Sequence, residues 1–189
     1  MNKLETFFDQ YITDKSDQHE LTLLFGESKP MKAKSFLVKP GGPSSFLAFI
    51  EKGTFRVYLI NSKGVEVTIW FSFAGMMISD MLSFYKGTSA NFYVEAIEDS
   101  IIRIISKSNL EKAYQKNVRL RTFGQRYAQN ALVKVMDRML ELQTLDAEQR
   151  YLNLLEQPRF LEKIPLKYLA SFIGITDTSL SRIRRNLMR

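Results

Sequence analysis

The spacing of apolar residues changes along the chain and predicts short N-terminal helices, a β-rich region and a helical C-terminal part. Apolar residues at helical spacing predict one helix over residues 4–12 and a second over residues 19–25. Between residues 32 and 106, short segments rich in β-branched and aromatic residues are separated by turn sequences at 61–64 and 98–100. Several strands at a spacing of about 8–12 residues predict a sandwich or barrel.

Residues 110–145 contain no proline and one glycine, and they predict one long helix or two helices joined near Gly124. One apolar stripe comprises Leu120, Phe123, Tyr127, Ala131, Val135 and Leu142, and a second comprises Ala128, Leu132, Met136 and Met139. A helix of this size, about 40–50 Å long, cannot bury both stripes against one small sandwich. We expect one stripe to pack on its own domain and the other on a second copy, giving a homodimer. The alternative is that both stripes belong to the intramolecular core.

The segment 164–188 has the pattern of a helix-turn-helix. A first amphipathic helix is predicted by Leu166, Leu169, Ala170, Phe172 and Ile173. Gly174 follows at a position where a positive φ suits only glycine, and the Thr176 hydroxyl can cap a second helix. The inner face of that second helix is predicted to consist of Leu180, Ile183 and Leu187. This arrangement is typical of a helix-turn-helix, and the alternative is an ordinary αα-hairpin.

The charge distribution favours double-stranded DNA as the partner of this segment. The chain has a net charge of +7, and residues 158–189 hold seven basic and two acidic residues, a net +5. A basic patch fits a polyanion, although a solvated basic tail would have the same composition. Short polar residues followed by arginine suit the major groove, so we expect base contacts from Asp177, Thr178, Arg182 and Arg185. Phosphate contacts are expected from Lys167, Thr176, Ser179 and Arg184.

Composition excludes several other classes of protein. No apolar run reaches the ~20 residues that span a bilayer, and the N-terminus has no signal-peptide pattern. These observations predict a cytoplasmic protein without a membrane partner. The absence of cysteine excludes disulfides, thiolate metal ligands and a cysteine nucleophile. A single histidine, with no glycine-rich phosphate loop and no carboxylate pair of known spacing, argues against an enzyme.

The order of these parts resembles the Crp-Fnr superfamily of bacterial transcription regulators, in particular a short branch common in Bacteroidetes-type bacteria. The resemblance is found in RYLNLLEQPRFLEKIPLKYLASFIGITDTSLSRIRRNL and, more loosely, in FIEKGTFRVYLINSKGVEVTIWF. It implies an α+β fold with a cyclic-nucleotide-binding-like jelly roll (a double-stranded β-helix) and N-terminal helices over residues 1–108. A dimerisation helix over residues 109–145 and a helix-turn-helix domain over residues 146–189 would follow. Regulation of transcription initiation would add RNA polymerase as a partner.

The resemblance leaves the effector open. Nucleotide-binding members of the superfamily hold the cyclic phosphate with a Gly-Glu pair near a short helix and an Arg-Ser pair further on. The stretch ISDMLSFYKGTSANFYVEA has Ser79-Asp80 and Ala90-Asn91 at these positions, so the arginine that would pair with the phosphate is missing. Burying a phosphodiester without it is unfavourable, and we expect no binding of cyclic AMP or cyclic GMP. The four residues are a candidate pocket for another small-molecule effector.

Other cofactors are not expected either. An iron–sulfur sensor needs cysteine thiolates, which the chain lacks. A haem sensor needs an axial ligand such as histidine, and the single histidine, His19, lies outside the predicted sandwich. The apolar run FAGMMISDMLSFY can line a cavity for an uncharged effector or belong to packed core, and packed core is the commoner outcome.

Two functions remain. The first is a homodimeric, sequence-specific DNA-binding transcription regulator that does not respond to cyclic AMP. The alternative is a sensor of small molecules or partner proteins with a vestigial DNA-binding module, because the sequence stops directly after the second helix of the motif and Asp177 is unfavourable near phosphate.

Overall fold

The computed structural model describes residues 3–187, which form nine helices and eight strands. The helices are α1 Lys3–Phe8, α2 Lys15–Leu24, α3 Met81–Lys86, α4 Lys107–Lys116, α5 Val118–Thr144, α6 Ala147–Leu155, α7 Pro158–Lys163, α8 Leu166–Ile173 and α9 Asp177–Leu187. The strands are β1 Lys29–Met31, β2 Phe36–Val38, β3 Phe46–Lys52, β4 Thr54–Ile60, β5 Glu66–Phe73, β6 Met77–Ile78, β7 Tyr93–Ala96 and β8 Ser100–Ser106. Met188, predicted to end the helix-turn-helix, and the basic Arg189 lie outside the described residues.

The strands form two four-stranded sheets, with orders β1-β8-β3-β6 and β2-β7-β4-β5. The pairs β1/β8, β2/β7, β3/β6 and β3/β8 are antiparallel. Most sheet neighbours are distant in sequence, which is the connectivity of a jelly roll rather than of a simple meander. The predicted α+β class with a β-rich region between residues 32 and 106 is therefore confirmed.

The first predicted turn is fixed by a side chain that accepts hydrogen bonds from its own backbone, and a side chain of the second turn binds a distant segment. Between β4 and β5, Asn61 Oδ1 accepts from the N–H of Lys63 at 2.9 Å and of Val65 at 3.0 Å. Between β7 and β8, Asp99 accepts from Lys32 Nζ and from the Ala33 N–H, both at 2.9 Å. The Asn61 bonds are the asparagine chemistry that stabilises tight turns, which explains why the sequence predicted that turn, whereas Asp99 holds the second turn against the segment that follows β1.

The chain divides into two compact units. The first comprises Met1–Val57 and Phe71–Ala131, and the second comprises Tyr58–Trp70 and Leu132–Arg189. In the first unit, aromatic rings of α1, β3 and α5 form the core: Phe7 lies 5.4 Å from Phe49, and Phe8 lies 5.4 Å edge-on to Phe123. The N-terminal helices and the first half of α5 therefore bury their apolar faces within one unit.

The long helical region is interrupted at Asn117 rather than near Gly124, so the predicted position of the joint is wrong. Asn117 adopts an extended conformation, and its side-chain oxygen accepts from the Arg119 N–H at 2.9 Å. This hydrogen bond caps the start of α5. Gly124 lies inside α5, where the Tyr114 ring packs so closely that a Cβ atom at this position would overlap it.

The second unit begins its C-terminal helices with a capping box. Asp146 accepts from the Gln149 N–H at 2.8 Å, and the Gln149 side chain accepts from the Asp146 N–H at 3.1 Å. Pro158 opens α7, because proline is tolerated in the first turn of a helix. The α7 residue Phe160 stacks on Phe172 of α8, with ring centroids 5.9 Å apart.

Candidate nucleic-acid interface

The turn between α8 and α9 has the geometry that the sequence predicts. Gly174 has φ +90°, and its N–H donates to the carbonyls of Ala170 and Ser171 at 3.0 and 3.2 Å. The Ile175 N–H also donates to Ala170 O, at 3.0 Å. These bonds satisfy the last carbonyls of α8 and turn the chain sharply into α9. The small side chain of Ala170 is almost fully buried.

The start of α9 is fixed by short polar side chains. Thr176 Oγ1 accepts from the Ser179 N–H at 3.2 Å, which confirms the predicted cap. The Thr176 hydroxyl also lies 2.9 Å from the hydroxyls of both Thr178 and Ser179. Asp177 Oδ1 accepts from the Thr178 N–H at 3.0 Å. Three hydroxyl groups are thus held together at the positive end of the helix dipole, where a phosphate oxygen is favoured.

The predicted DNA-contacting residues lie on accessible positions of the second unit. Seven of them are exposed and Ser179 is half-buried; the exposed ones are Lys167, Thr176, Asp177, Thr178, Arg182, Arg184 and Arg185. Residues 178, 182 and 185 follow helical spacing and share one face of α9. The opposite face contains the fully buried Leu180 and the half-buried Ile183. Leu187 remains 40% exposed, so its predicted inward position is wrong; it is the last residue of α9.

Arg138 and Ser171 position α8, and sequence reasoning missed both. Ser171 Oγ donates to Glu66 O at 3.0 Å and accepts from the Thr68 N–H at 2.9 Å. Arg138 donates to the Phe172 carbonyl, and its guanidinium lies 4.0 Å from the centroid of that phenylalanine ring. These contacts join segments far apart in sequence. The one local signal was an arginine among the apolar residues of α5.

The candidate effector residues come together, but the polar groups of Asp80 and Asn91 are already engaged within the protein. Asp80 is fully buried and caps α3: its carboxylate accepts from the N–H and hydroxyl of Ser83, at 3.1 and 3.0 Å. It also accepts from the N–H of Asn91 at 2.6 Å and of Phe92 at 3.2 Å. Ala90 is buried and contributes only a methyl group. A protein carboxylate therefore uses the amides beside the position of the missing arginine.

The Ser79 hydroxyl is buried as well, and among residues 3–187 it has no hydrogen-bond partner. A nearby cavity of about 240 Å³ lies between loop 41–45, the end of α3 and the start of α4. Its lining includes Ser44, Thr88 and Lys107, but not Ser79, Asp80, Ala90 or Asn91. Lys107 Nζ donates to Phe84 O at 2.5 Å, so this ammonium satisfies a carbonyl in the last turn of α3. The cavity borders the predicted effector position, because Ser83, which lines it, donates to Asp80 and accepts from Asn91.

The second half of α5 exposes a continuous set of large apolar side chains, here named the exposed apolar face. Each member is between 47% and 59% exposed; they are Leu132, Val133, Val135, Met136, Met139, Leu140 and Leu142. Earlier in the helix, Leu120 and Phe123 are buried. The interpretation of both stripes as intramolecular core is therefore wrong beyond residue 131.

Two kinds of site are absent from the part of the chain that the structure describes. None of its helices is long and apolar enough to cross a membrane. Histidine, aspartate and glutamate side chains form no cluster of three or more that could hold a metal ion among residues 3–187.

The chain is similar to a family model and to several solved structures. The family model of the cyclic nucleotide-binding domain matches residues 28–117. FixK2 from Bradyrhizobium japonicum is similar in structure, with TM-score 0.75 and 21% identity, over 86% of this chain and 84% of that one. A transcriptional regulator of the Crp/Fnr family from Eubacterium rectale has TM-score 0.72 and 14% identity, over 96% and 86%. The catabolite activator protein of Thermus thermophilus has TM-score 0.61 and 18% identity, over 96% and 86%. No curated protein sequence matches the chain.

The structure therefore combines a cyclic-nucleotide-binding type of jelly roll, a long helix and a C-terminal helix-turn-helix. The chain has the fold of the Crp/Fnr-type structures that it matches, so the fold expected from the resemblance is confirmed.

Proposed function

We propose that the chain is a sequence-specific transcription regulator that binds double-stranded DNA as a homodimer and does not respond to cyclic AMP. Residues 1–108 would be the sensor domain, 109–145 the dimerisation helix and 146–189 the DNA-binding domain. The observation that supports this most directly is α9, a capped helix whose exposed face combines Thr178 with Arg182 and Arg185. Its DNA partner implies action in the cytoplasm, with RNA polymerase as a further partner.

The α9 side chains divide by reach and chemistry. Arg182, one turn into the helix, can donate two parallel hydrogen bonds to a guanine edge. Thr178 and Arg185 share its face, while Asp177 can accept from a cytosine amino group. The remaining positions, Lys167, Thr176, Ser179 and Arg184, would contact phosphates and set the register on the duplex.

The exposed apolar face supports dimerisation. Seven large apolar side chains, each about half exposed, form a patch on one helix, and patches of this kind mark interaction surfaces. A second copy of α5 has the same apolar pattern, and a two-fold interface is self-complementary. Two recognition helices about one DNA turn apart, ~34 Å, would then read a near-palindrome.

The environment of Asp80 argues against cyclic nucleotide as the effector. The carboxylate holds the Asn91 and Phe92 amides and the Ser83 hydroxyl. An incoming phosphodiester would compete with this buried carboxylate for the same donors and would repel it. No arginine replaces the methyl group of Ala90 to offset that repulsion.

The proposal is tested by selecting duplexes from a random library with the purified full chain, followed by fluorescence anisotropy. We expect enrichment of a near-palindromic site and an affinity that falls steeply with salt, because lysine and arginine release counterions from DNA. Cyclic AMP and cyclic GMP should change neither the affinity nor the unfolding temperature. No enrichment of any duplex, together with capture of RNA polymerase without DNA, would favour the alternative sensor that acts through protein contacts.

A further inference from the structure

The Ser171 bridge, defined here as the Ser171 hydroxyl with its hydrogen bonds to Glu66 O and the Thr68 N–H, joins the helix-turn-helix to the β4–β5 hairpin. The two bonds are 3.0 and 2.9 Å long. Ser171 lies more than 100 positions from both Glu66 and Thr68, and all three residues belong to the second compact unit. Thr68 is almost fully buried, so its N–H is shielded from bulk water at this contact.

The bridge fits the geometry of the strand. β5 is the last strand of its sheet, so one row of its backbone groups faces away from the ladder. The carbonyl of residue 66 and the N–H of residue 68 point the same way, because side chains and backbone groups repeat every two residues. A hydroxyl both donates and accepts, and one serine therefore satisfies both groups.

Arg138 holds α8 at a second point. It donates to the carbonyl of Phe172, in the last turn of α8, and its guanidinium stacks on the phenylalanine ring at 4.0 Å. Glu141 Oε2 accepts from Arg138 Nη1 at 2.9 Å and fixes the rotamer of the arginine. Burial lowers the pKa of the Arg138 guanidinium, and the Glu141 carboxylate opposes that change. Two contacts on adjacent residues of α8 thus fix its position on the hairpin and on α5.

We propose that Ser171 is a positioning residue for DNA binding: the Ser171 bridge holds α8, and through the tight turn α9, in one orientation for reading DNA. This inference rests on the proposed function. With the bridge formed, the side chains of Thr178, Arg182 and Arg185 are all exposed. The bridged arrangement therefore leaves the reading face open, and losing the bridge lowers the population of chains oriented for binding.

The test compares three variants of the full chain on two probes. Ser171→Ala removes the bridge, Ser171→Thr keeps a hydroxyl, and Thr144→Ala removes a hydroxyl that bonds only within α5 as a matched control. The probes are the duplex selected by the wild-type chain and the same duplex with one base pair inserted between its half-sites.

We expect Ser171→Ala to bind the selected duplex about three- to tenfold more weakly than the wild type. Each lost hydrogen bond shifts the equilibrium between chains with and without the fixed orientation of α8 by about fivefold, and part of the chains without the bridge still bind DNA. The preference for the correct spacing should fall, because half-site spacing is read through a fixed orientation of the two α9 helices. The slope of affinity against salt should not change, since Ser171 contacts no phosphate. Ser171→Thr and Thr144→Ala should stay near wild type.

A Ser171→Ala chain with wild-type affinity and wild-type spacing preference would overturn the inference. A purely structural role predicts a lower unfolding temperature with the spacing preference intact, which would also overturn it.

Amide hydrogen exchange without DNA separates this inference from the proposed function. Ser171→Ala should speed exchange at Thr68, whether or not the chain binds any duplex, and unchanged exchange there would refute the bridge itself. If exchange is faster but the wild type selects no duplex, the proposed function fails while the bridge stands.

Discussion

Met136→Glu tests whether the exposed apolar face joins two copies of the chain. Met136 is 50% exposed, and completely burying a methionine side chain contributes about 1.5–3 kcal/mol. Burying the exposed half in a dimer therefore contributes about 1 kcal/mol per copy, or about 2 kcal/mol for the two copies. The glutamate loses this contribution and also brings an unpaired carboxylate towards the interface.

The loss should raise the dimer dissociation constant by at least ~30-fold, since each 1.4 kcal/mol is a factor of ten. Sedimentation equilibrium at several protein concentrations measures the constant directly. Asn130→Asp is the matched control, because it adds the same charge on an exposed position of α5 roughly 160° around the helix from Leu132. We expect it to leave the dissociation constant within a factor of about three.

An unchanged dissociation constant in Met136→Glu, or an equal rise in Asn130→Asp, would refute this reasoning. The wild-type chain remaining monomeric at every concentration would do the same. Circular dichroism of the variant should match the wild type, because a half-exposed residue of a continuous helix is not needed for folding of either unit.

Three further outcomes are expected. Arg182→Ala should weaken the binding free energy on the selected duplex by about 1–3 kcal/mol and relax the preference at one base pair, whereas Lys167→Ala should weaken binding evenly across sequences. Equal losses on all duplexes for both variants in anisotropy titrations would contradict this division. In an open helix, Gly124→Ala would raise the free energy of unfolding by about 1 kcal/mol. Here it should lower the free energy of unfolding by about 1–3 kcal/mol, because the new methyl group overlaps the Tyr114 ring, and urea denaturation measures the sign of the change. The hydrogen bonds from the Lys32 ammonium and the Ala33 N–H lower the pKa of Asp99. This carboxylate therefore stabilises the fold above about pH 4, and its contribution is lost as the pH falls further. Asp99→Asn should reduce the unfolding temperature at pH 7, and in acid the unfolding temperatures of variant and wild type should converge.

Turns and helix caps could be predicted from the sequence, because certain residue types favour one backbone conformation or one capping hydrogen bond. Gly174 predicts a left-handed residue, Thr176 predicts a helix cap, and Asn61 predicts a tight hairpin turn, because each depends on neighbours within a few positions. The candidate DNA-contacting residues follow from this local logic, which is why their exposure agrees with the structure.

Contacts between segments that are distant in sequence could not be predicted from the sequence. The Ser171 bridge depends on β5 being the last strand of its sheet, and the pairing order of distant strands has no local signal. The joint at Asn117 was missed because glycine is the stronger helix breaker by propensity, yet Gly124 is needed inside α5 for the close approach of Tyr114. The backbone amides of Asn91 and Phe92, which donate to the Asp80 carboxylate, lie 11 and 12 positions further along the chain, so no local pattern predicted these bonds.

The position of β5 also bears on the solubility of the chain. An open strand edge is a template on which other chains can add strands and aggregate. The β4–β5 hairpin exposes three apolar side chains, Ile60 at 49%, Val65 at 55% and Ile69 at 40%, which would make such strand addition more favourable. By occupying an outward carbonyl and N–H of β5, Ser171 blocks one pairing site on this edge. The same hydroxyl that orients the helix-turn-helix therefore also protects the chain against intermolecular β-pairing.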